Sequence, residues 1–519
     1  MFVLKKIIAL VLSLVMLMTV CIPAVAAEDG KCDCGETPMI YVGPLGNTDI
    51  YANFGTEDEK ILFRPDTKTI LGIVAKVLPG VLLTVLTRNY DYLGDALISS
   101  VYDAMGEMAL DENGNSYPHV TVDLELPTDP AHGIGRDYYF SYDWRLDPIE
   151  IARQLKDFIA HVKELTGHDT VILKASSMGG VQMMAYFNEY GYDGIETAIF
   201  QCCPILGTSF AGDLLCKKVA LDGKALLDFG VGAYQPVDAE STLLYFLFNT
   251  LYYSGLIDIV MPIGERVIDN LLDRAYDELL TPVFGTLLGL WAFVPDCNYE
   301  TAKAMQLDPE TQAGLIAKAD YYHYNVQCRA EEILNGAVDC GVKVMIVAGY
   351  NIMGTPLIES MYNDSDCTVD TMYASAGGTV AKMHETLGED YKQADCSCGH
   401  NHLSPDGKID ASTCILPENT WFIKDMLHSN GQPGIDGLYN WFAYSDEYYN
   451  VWSNPLYPQF LQNDEPNERV IAMGNFAEGV EPPTYEEGDS FHDFYVKYGA
   501  PVVDPTLATL DKIRAFFGK

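Results

Sequence analysis

Ser177 stands in "VILKASSMGGVQMMAYF", Val171 to Phe187. Strand-forming residues run into a serine flanked by small residues, and two glycines open an apolar helical pattern. A serine at the tip of so tight a strand-to-helix turn has the setting of a nucleophile. The strained turn needs small residues two positions before and two after, and Ala175 and Gly179 stand there. The Met178 N–H then points into the site, and the helix N-terminus adds partial positive charge where an oxyanion would form. A second N–H is expected from the loop after an early strand, at Leu45 or Gly46 of "YVGPLGNT". Such a turn orders its partners along the chain as serine, then acid, then histidine. Behind the buried run "VKVMIVAG", "NDSDCTVD" offers Asp364, Asp366 and Asp370. For the base, "TWFIKDMLH" places His428 just past a strand. His400 and His402 of "DCSCGHNH" compete with it, and His402 leads if "TWFIK" is helical.

The elements that must position these groups alternate between strand and helix. "PMIYVG", "YYFSY", "VILKA", "ETAIFQ", "VKVMIVAG" and "TWFIK" read as strands. Between the second and third, Asp147, Pro148 and Glu150 form a capping box ahead of a helix whose buried face is Ile151, Leu155, Phe158, Ile159 and Val162. Gly167 ends it. This alternation indicates an α/β fold with a parallel sheet. From Leu214 to about Asn335 the alternation stops, and "STLLYFLFNTLYYSGLIDIVM" and "TPVFGTLLGLWAF" read as helices with broad apolar faces. That stretch is expected to be an insertion. "ILGIVAKVLPGVLLTVL", broken by Pro79 and Gly80, is too short to span a bilayer.

The 519 residues are 48% hydrophobic, enough for a large core, and the formal net charge is -41. That field repels phosphate backbones, so nucleic acid is not an expected partner. "MFVLKKIIALVLSLVMLMTVCIPAVAA" reads as a secretory signal cleaved near Ala27, which makes the chain extracellular. Val20 before Cys21 makes a poor lipoprotein signal. Thirteen cysteines are present. Cys32 and Cys34 form one C-x-C pair and Cys396 and Cys398 another, able to hold a structural zinc or to form two disulfides. Either tie would join the start of the domain to a late loop. Cys202, Cys203 and Cys216 read as buried small hydrophobes.

Four segments together resemble the lecithin:cholesterol acyltransferase-like branch of the α/β-hydrolases: "PMIYVGPLG", "YDWR" from Tyr142, "PILGTSFAGDLL" from Pro204 and "SDCTV" from Ser365. The resemblance runs from Pro38 to Phe442 and departs at Ala175, at Ser176 where histidine is usual, and at the glycines around Asp366. It implies an α/β-hydrolase parallel-sheet core and places the acid at Asp366, but it leaves the insertion unmatched in detail; the interrupted alternation and apolar content make that insertion an expected large helical cap. Residues 1–27 are then the signal peptide, 28–213 the first part of the core, 214–335 the cap and 336–450 the second part. Residues 451–519 form a Pro- and acid-rich extension over the surface. The expected activity is that of a secreted serine hydrolase of carboxylic esters, above all lipid esters. Ser177 would form the acyl-enzyme, His428 act as base and then acid, Asp366 orient it, and Met178 with Leu45 bind the oxyanion. No metal or organic cofactor is required, and the cap would touch lipid surfaces transiently. The alternatives are an O-acyltransferase using the same triad and a binding protein on a decayed hydrolase fold.

Overall fold

The computed structural model describes residues 34–64, 86–233, 257–395, 398–428, 434–445, 449–464 and 469–473, with 76, 77, 79, 80, 83 and 84. Residues 1–27, expected to be a signal segment, and Cys32, Cys396, His492, most of "STLLYFLFNTLYYSGLIDIVM" and residues 474–519 lie outside them. Near-continuous apolar runs, the mark of strands covered on both faces, build one eight-stranded sheet. Its strands are β1 (Met39–Val42), β2 (Tyr138–Phe140), β3 (Val171–Ser176), β4 (Ile195–Gln201), β5 (Lys343–Tyr350), β6 (Thr420–Lys424), β7 (Phe460–Asp464) and β8 (Arg469–Ala472). They lie side by side as β8-β7-β6-β5-β4-β3-β1-β2. All neighbours are parallel except β7 and β8.

Because successive side chains of a strand point to opposite faces, the apolar runs feed two cores. Ile40, Val42, Leu173, Ala175, Phe200 and Ile346 face one, packed with helices α1 (Pro148–Thr166), α2 (Gly179–Tyr190) and α3 (Ala330–Asp339). Met39, Ile172, Ile199, Met345, Trp421 and Ile423 face the other, packed with α4 (Asp436–Tyr444). Among the described residues between β4 and α3 the longer elements are helical, including Ser209–Leu215, Gly223–Ala233, Ile257–Ala275, Asp296–Gln306 and Ala313–Asn325. Among the described residues no helix is long and apolar enough to cross a membrane.

Three expectations change. The extension from residue 451 does not only wrap the surface: β7 and β8 complete the sheet, and Leu461 is wholly buried. The expected boundary at residue 335 falls inside α3 (Ala330–Asp339) and so does not coincide with the end of an element. The capping box is half made. Asp147 accepts from the Ile149 N–H, but Glu150 bonds Arg153 and Gln154 instead of closing back on the cap.

Candidate active site

The turn after β3 holds Ser177 at φ +52°, a left-handed conformation uncommon for a residue with a side chain. Its N–H donates to the Gln201 carbonyl at 3.0 Å, and its own carbonyl accepts from Gly180 N–H at 3.0 Å. The small residues around it answer to close backbone approach. A Cβ on Gly179 would lie 2.1 Å from the Val42 carbonyl oxygen, and one on Gly180 would lie 2.4 Å from Cys203 Cβ. The serine therefore stands at the C-terminal edge of the sheet, where parallel sheets bind ligands.

The next two C-terminal strand ends bring in a carboxylate and an imidazole. After β5 the chain makes a short antiparallel hairpin, Ile352–Met353 against Asp364–Ser365, and delivers Asp366 fully buried beside the sheet. Gly349 makes this possible, because a Cβ there would meet the Met426 carbonyl at 2.5 Å and Asp366 Cβ at 2.9 Å. "TWFIK" is a strand, and His428 follows it by four residues. His428 Nε2 lies 2.8 Å from Ser177 Oγ, and Nδ1 lies 2.8 Å from Asp366 Oδ2. The other carboxylate oxygen accepts the N–H groups of Thr368 at 3.0 Å and Val369 at 2.8 Å. The His428 N–H donates to the Asp366 carbonyl at 2.9 Å. An Nδ1–H donated to the carboxylate leaves Nε2 as acceptor for the serine proton.

Among the described residues, neither the Met178 N–H nor the Leu45 N–H finds an acceptor, and Leu45 lines the cavity beside Ser177. Gly46 is not on that wall. Motif reading did not assign a job to Tyr142, Asp143 and Arg145. The Tyr142 hydroxyl donates to the Gly43 carbonyl at 2.7 Å, under the loop that carries Leu45. Arg145 is wholly buried and bidentate on Asp143, with further bonds to the Met108 carbonyl and Ser116. A buried guanidinium is tolerable only with its donors satisfied, and this one locks the loop around Trp144 against the site. Cys202 is a fully buried core residue, as expected; its sulfur lies within 4.8 Å of the Asp366 and His428 ligand atoms, and burial, then the Asp366 charge, push its thiol pKa well up.

The site opens into a cavity of about 580 Å³. Leu214, Leu215, Leu280, Phe284, Leu290 and Phe293 of the helical insertion form one side, and Leu45, Phe63, Met105 and Met108 another. Among the described residues, the polar side chains on its wall besides Ser177 and His428 are Thr208, Thr368 and the indole of Trp144.

The remaining candidates sit elsewhere. His402 is fully buried, with Nδ1 2.8 Å from Gln459 Oε1 and Nε2 3.0 Å from Cys398 Sγ. His400 pairs with Glu418. Asp364 is paired with Lys408. Asp370 accepts from the Ser209 N–H and from Asn363, each at 2.7 Å. Cys34 and Cys398, proposed partners in the sequence, belong to different clusters of metal-ligand types.

No family model matches the sequence, and no curated protein matches it. Among solved structures, a chain in the crystal structure of the Tle4–Tli4 complex is similar at 11% identity and a TM-score of 0.24. The likeness covers 60% of this chain and 75% of that one, and at that score it carries no argument.

Proposed function

We propose that this chain is a serine hydrolase of carboxylic esters with apolar acyl groups, lipid esters above all, built on an α/β-hydrolase core. The observation that carries the reading is the unbroken chain Ser177–His428–Asp366, with 2.8 Å at each link, opening onto an apolar cavity. The order of the sequence segments that resemble lecithin:cholesterol acyltransferase-like enzymes supports it.

Ser177 Oγ attacks the ester carbonyl carbon as His428 Nε2 takes the hydroxyl proton. The carbonyl π pair moves onto oxygen, and the N–H groups of Met178 and Leu45 stabilise that charge. Collapse of the tetrahedral adduct breaks the bond to the alcohol oxygen, which receives the proton from His428. Water then repeats the sequence and releases the acid. Asp366 keeps the imidazole in the productive tautomer and stabilises the imidazolium, while the Thr368 and Val369 N–H groups hold the carboxylate in place. A cavity of about 580 Å³ lies within the range of small-molecule sites, and its aliphatic and aromatic wall favours an acyl chain over a charged group. The helical insertion serves as a cap over this chain, and contact with a lipid surface opens it. The N-terminal signal places the activity outside the cell.

A fluorophosphonate probe tests the reading. It should label the wild-type protein at Ser177 and leave Ser177→Ala unlabelled. An unlabelled wild-type protein would mean a binding protein on this fold. Product analysis with and without added alcohol then identifies the acyl acceptor.

A further inference from the structure

Cys34, His132 and His168 come from three separate stretches: the segment before β1, the loop before β2, and the turn between α1 and β3. Their side chains converge. Cys34 Sγ lies 3.2 Å from His132 Nε2 and 3.4 Å from His168 Nε2, and the two nitrogens are 2.9 Å apart. His132 Nδ1 lies 2.8 Å from the Pro130 carbonyl. That bond keeps the ring proton on Nδ1 and turns the Nε2 lone pair inward, the arrangement that orients metal-bound histidines.

A histidine–histidine hydrogen bond fits the 2.9 Å between the two nitrogens, but it does not explain why the sulfur lies at 3.2 and 3.4 Å from both of them. A zinc ion among the three would, with the nitrogens drawn closer than in an ideal shell. With Zn–S about 2.3 Å and Zn–N about 2.0–2.1 Å, a tetrahedral shell sets neighbouring ligand atoms roughly 3.3–3.6 Å apart. A thiolate with two imidazoles is a donor set that suits zinc. The segments are already pressed together: the Glu36 carboxylate occupies the place a Cβ would take on Gly133.

We propose that Cys34, His132 and His168 hold a structural zinc ion, leaving a fourth position for water or a further donor. The ion would clasp the start of the domain to the loops at the N-terminal edge of the sheet. His168 precedes β3 and Ser177 follows it, so six residues at about 3.3 Å each, roughly 20 Å, separate this site from the candidate active site. The zinc is therefore not a participant in acyl chemistry.

Metal analysis of the full chain tests this. Cys398 has its own histidine contact, so zinc is read as a difference. After purification with zinc and exhaustive dialysis, Cys34→Ser and His132→Gln should each carry one equivalent less than the wild type. Equal zinc in the wild type and both variants overturns the proposal. If the variants do not accumulate in soluble form, cobalt(II) exchanged into a Cys398→Ser protein decides. A thiolate-to-cobalt charge-transfer band with tetrahedral d–d absorption supports the site, and a cobalt protein without that band overturns it.

Discussion

In the proposed mechanism the Ser177 hydroxyl serves chemistry more than packing; among the described residues its side-chain hydrogen-bond partner is His428. Ser177→Ala should lower esterase turnover by about 10³-fold or more while stability changes by about 1 kcal/mol or less. A variant retaining half its activity would remove the serine from the mechanism. His428→Ala should cause a comparable loss. His402→Ala should keep turnover but lose about 1–3 kcal/mol in urea unfolding, because it leaves the buried Gln459 Oε1 without its histidine partner. The reverse pattern would move the base to the Cys-rich loop. Tyr142 acts through the Gly43 carbonyl and is a positioning residue. In Tyr142→Phe, kcat should fall with KM little changed, as the loop bearing Leu45 loses its anchor. Unchanged kcat would leave the tyrosine a purely structural role.

At the level of elements, the serine turn depends on how closely β1 passes beneath it. Gly179→Ala drives a Cβ into the Val42 carbonyl, a backbone atom that cannot rotate away. The expected cost is about 1–3 kcal/mol, and probe labelling at Ser177 should drop because the turn must shift. A stable, fully labelled variant would contradict the geometry. Farther along, β7 joins the sheet beside β6, with Leu461 wholly buried in the second core. Leu461→Ala should destabilise the whole domain by about 2–5 kcal/mol, visible as a lower midpoint of one cooperative transition. A separate early transition would instead mark the 460–472 strands as a peripheral unit.

For the whole molecule, the insertion and the core share one cavity, so substrate range should follow the cavity's depth. Leu290 is half-buried on that wall. Leu290→Trp should lower kcat/KM for long acyl esters while leaving acetate esters nearly unaffected. Equal losses on both would place the acyl chain elsewhere.

The strand runs, the small residues around Ser177 and the helix from Pro148 to Thr166 are legible in the sequence, because each depends on local periodicity or turn chemistry. The expected order of serine, acid and histidine spans 251 residues and rests on fold-level precedent and the resemblance, not on local pattern. "TWFIK" as a strand was legible too, through its aromatic and β-branched content, but a helix remained open until hydrogen bonding to β5 closed it. Which of Asp364, Asp366 and Asp370 meets His428 is decided by the hairpin after β5 and by Gly349, whose missing Cβ lets residues 62 apart in sequence touch. The sheet membership of residues 460–472 likewise depends on β6 offering a free edge. The C-x-C pairs gave no hint of the histidines near Cys34, because His132 and His168 stand 98 and 134 residues away; Cys32 and Cys396 lie outside the described residues. Local pattern sets what each segment is; only packing sets what it meets.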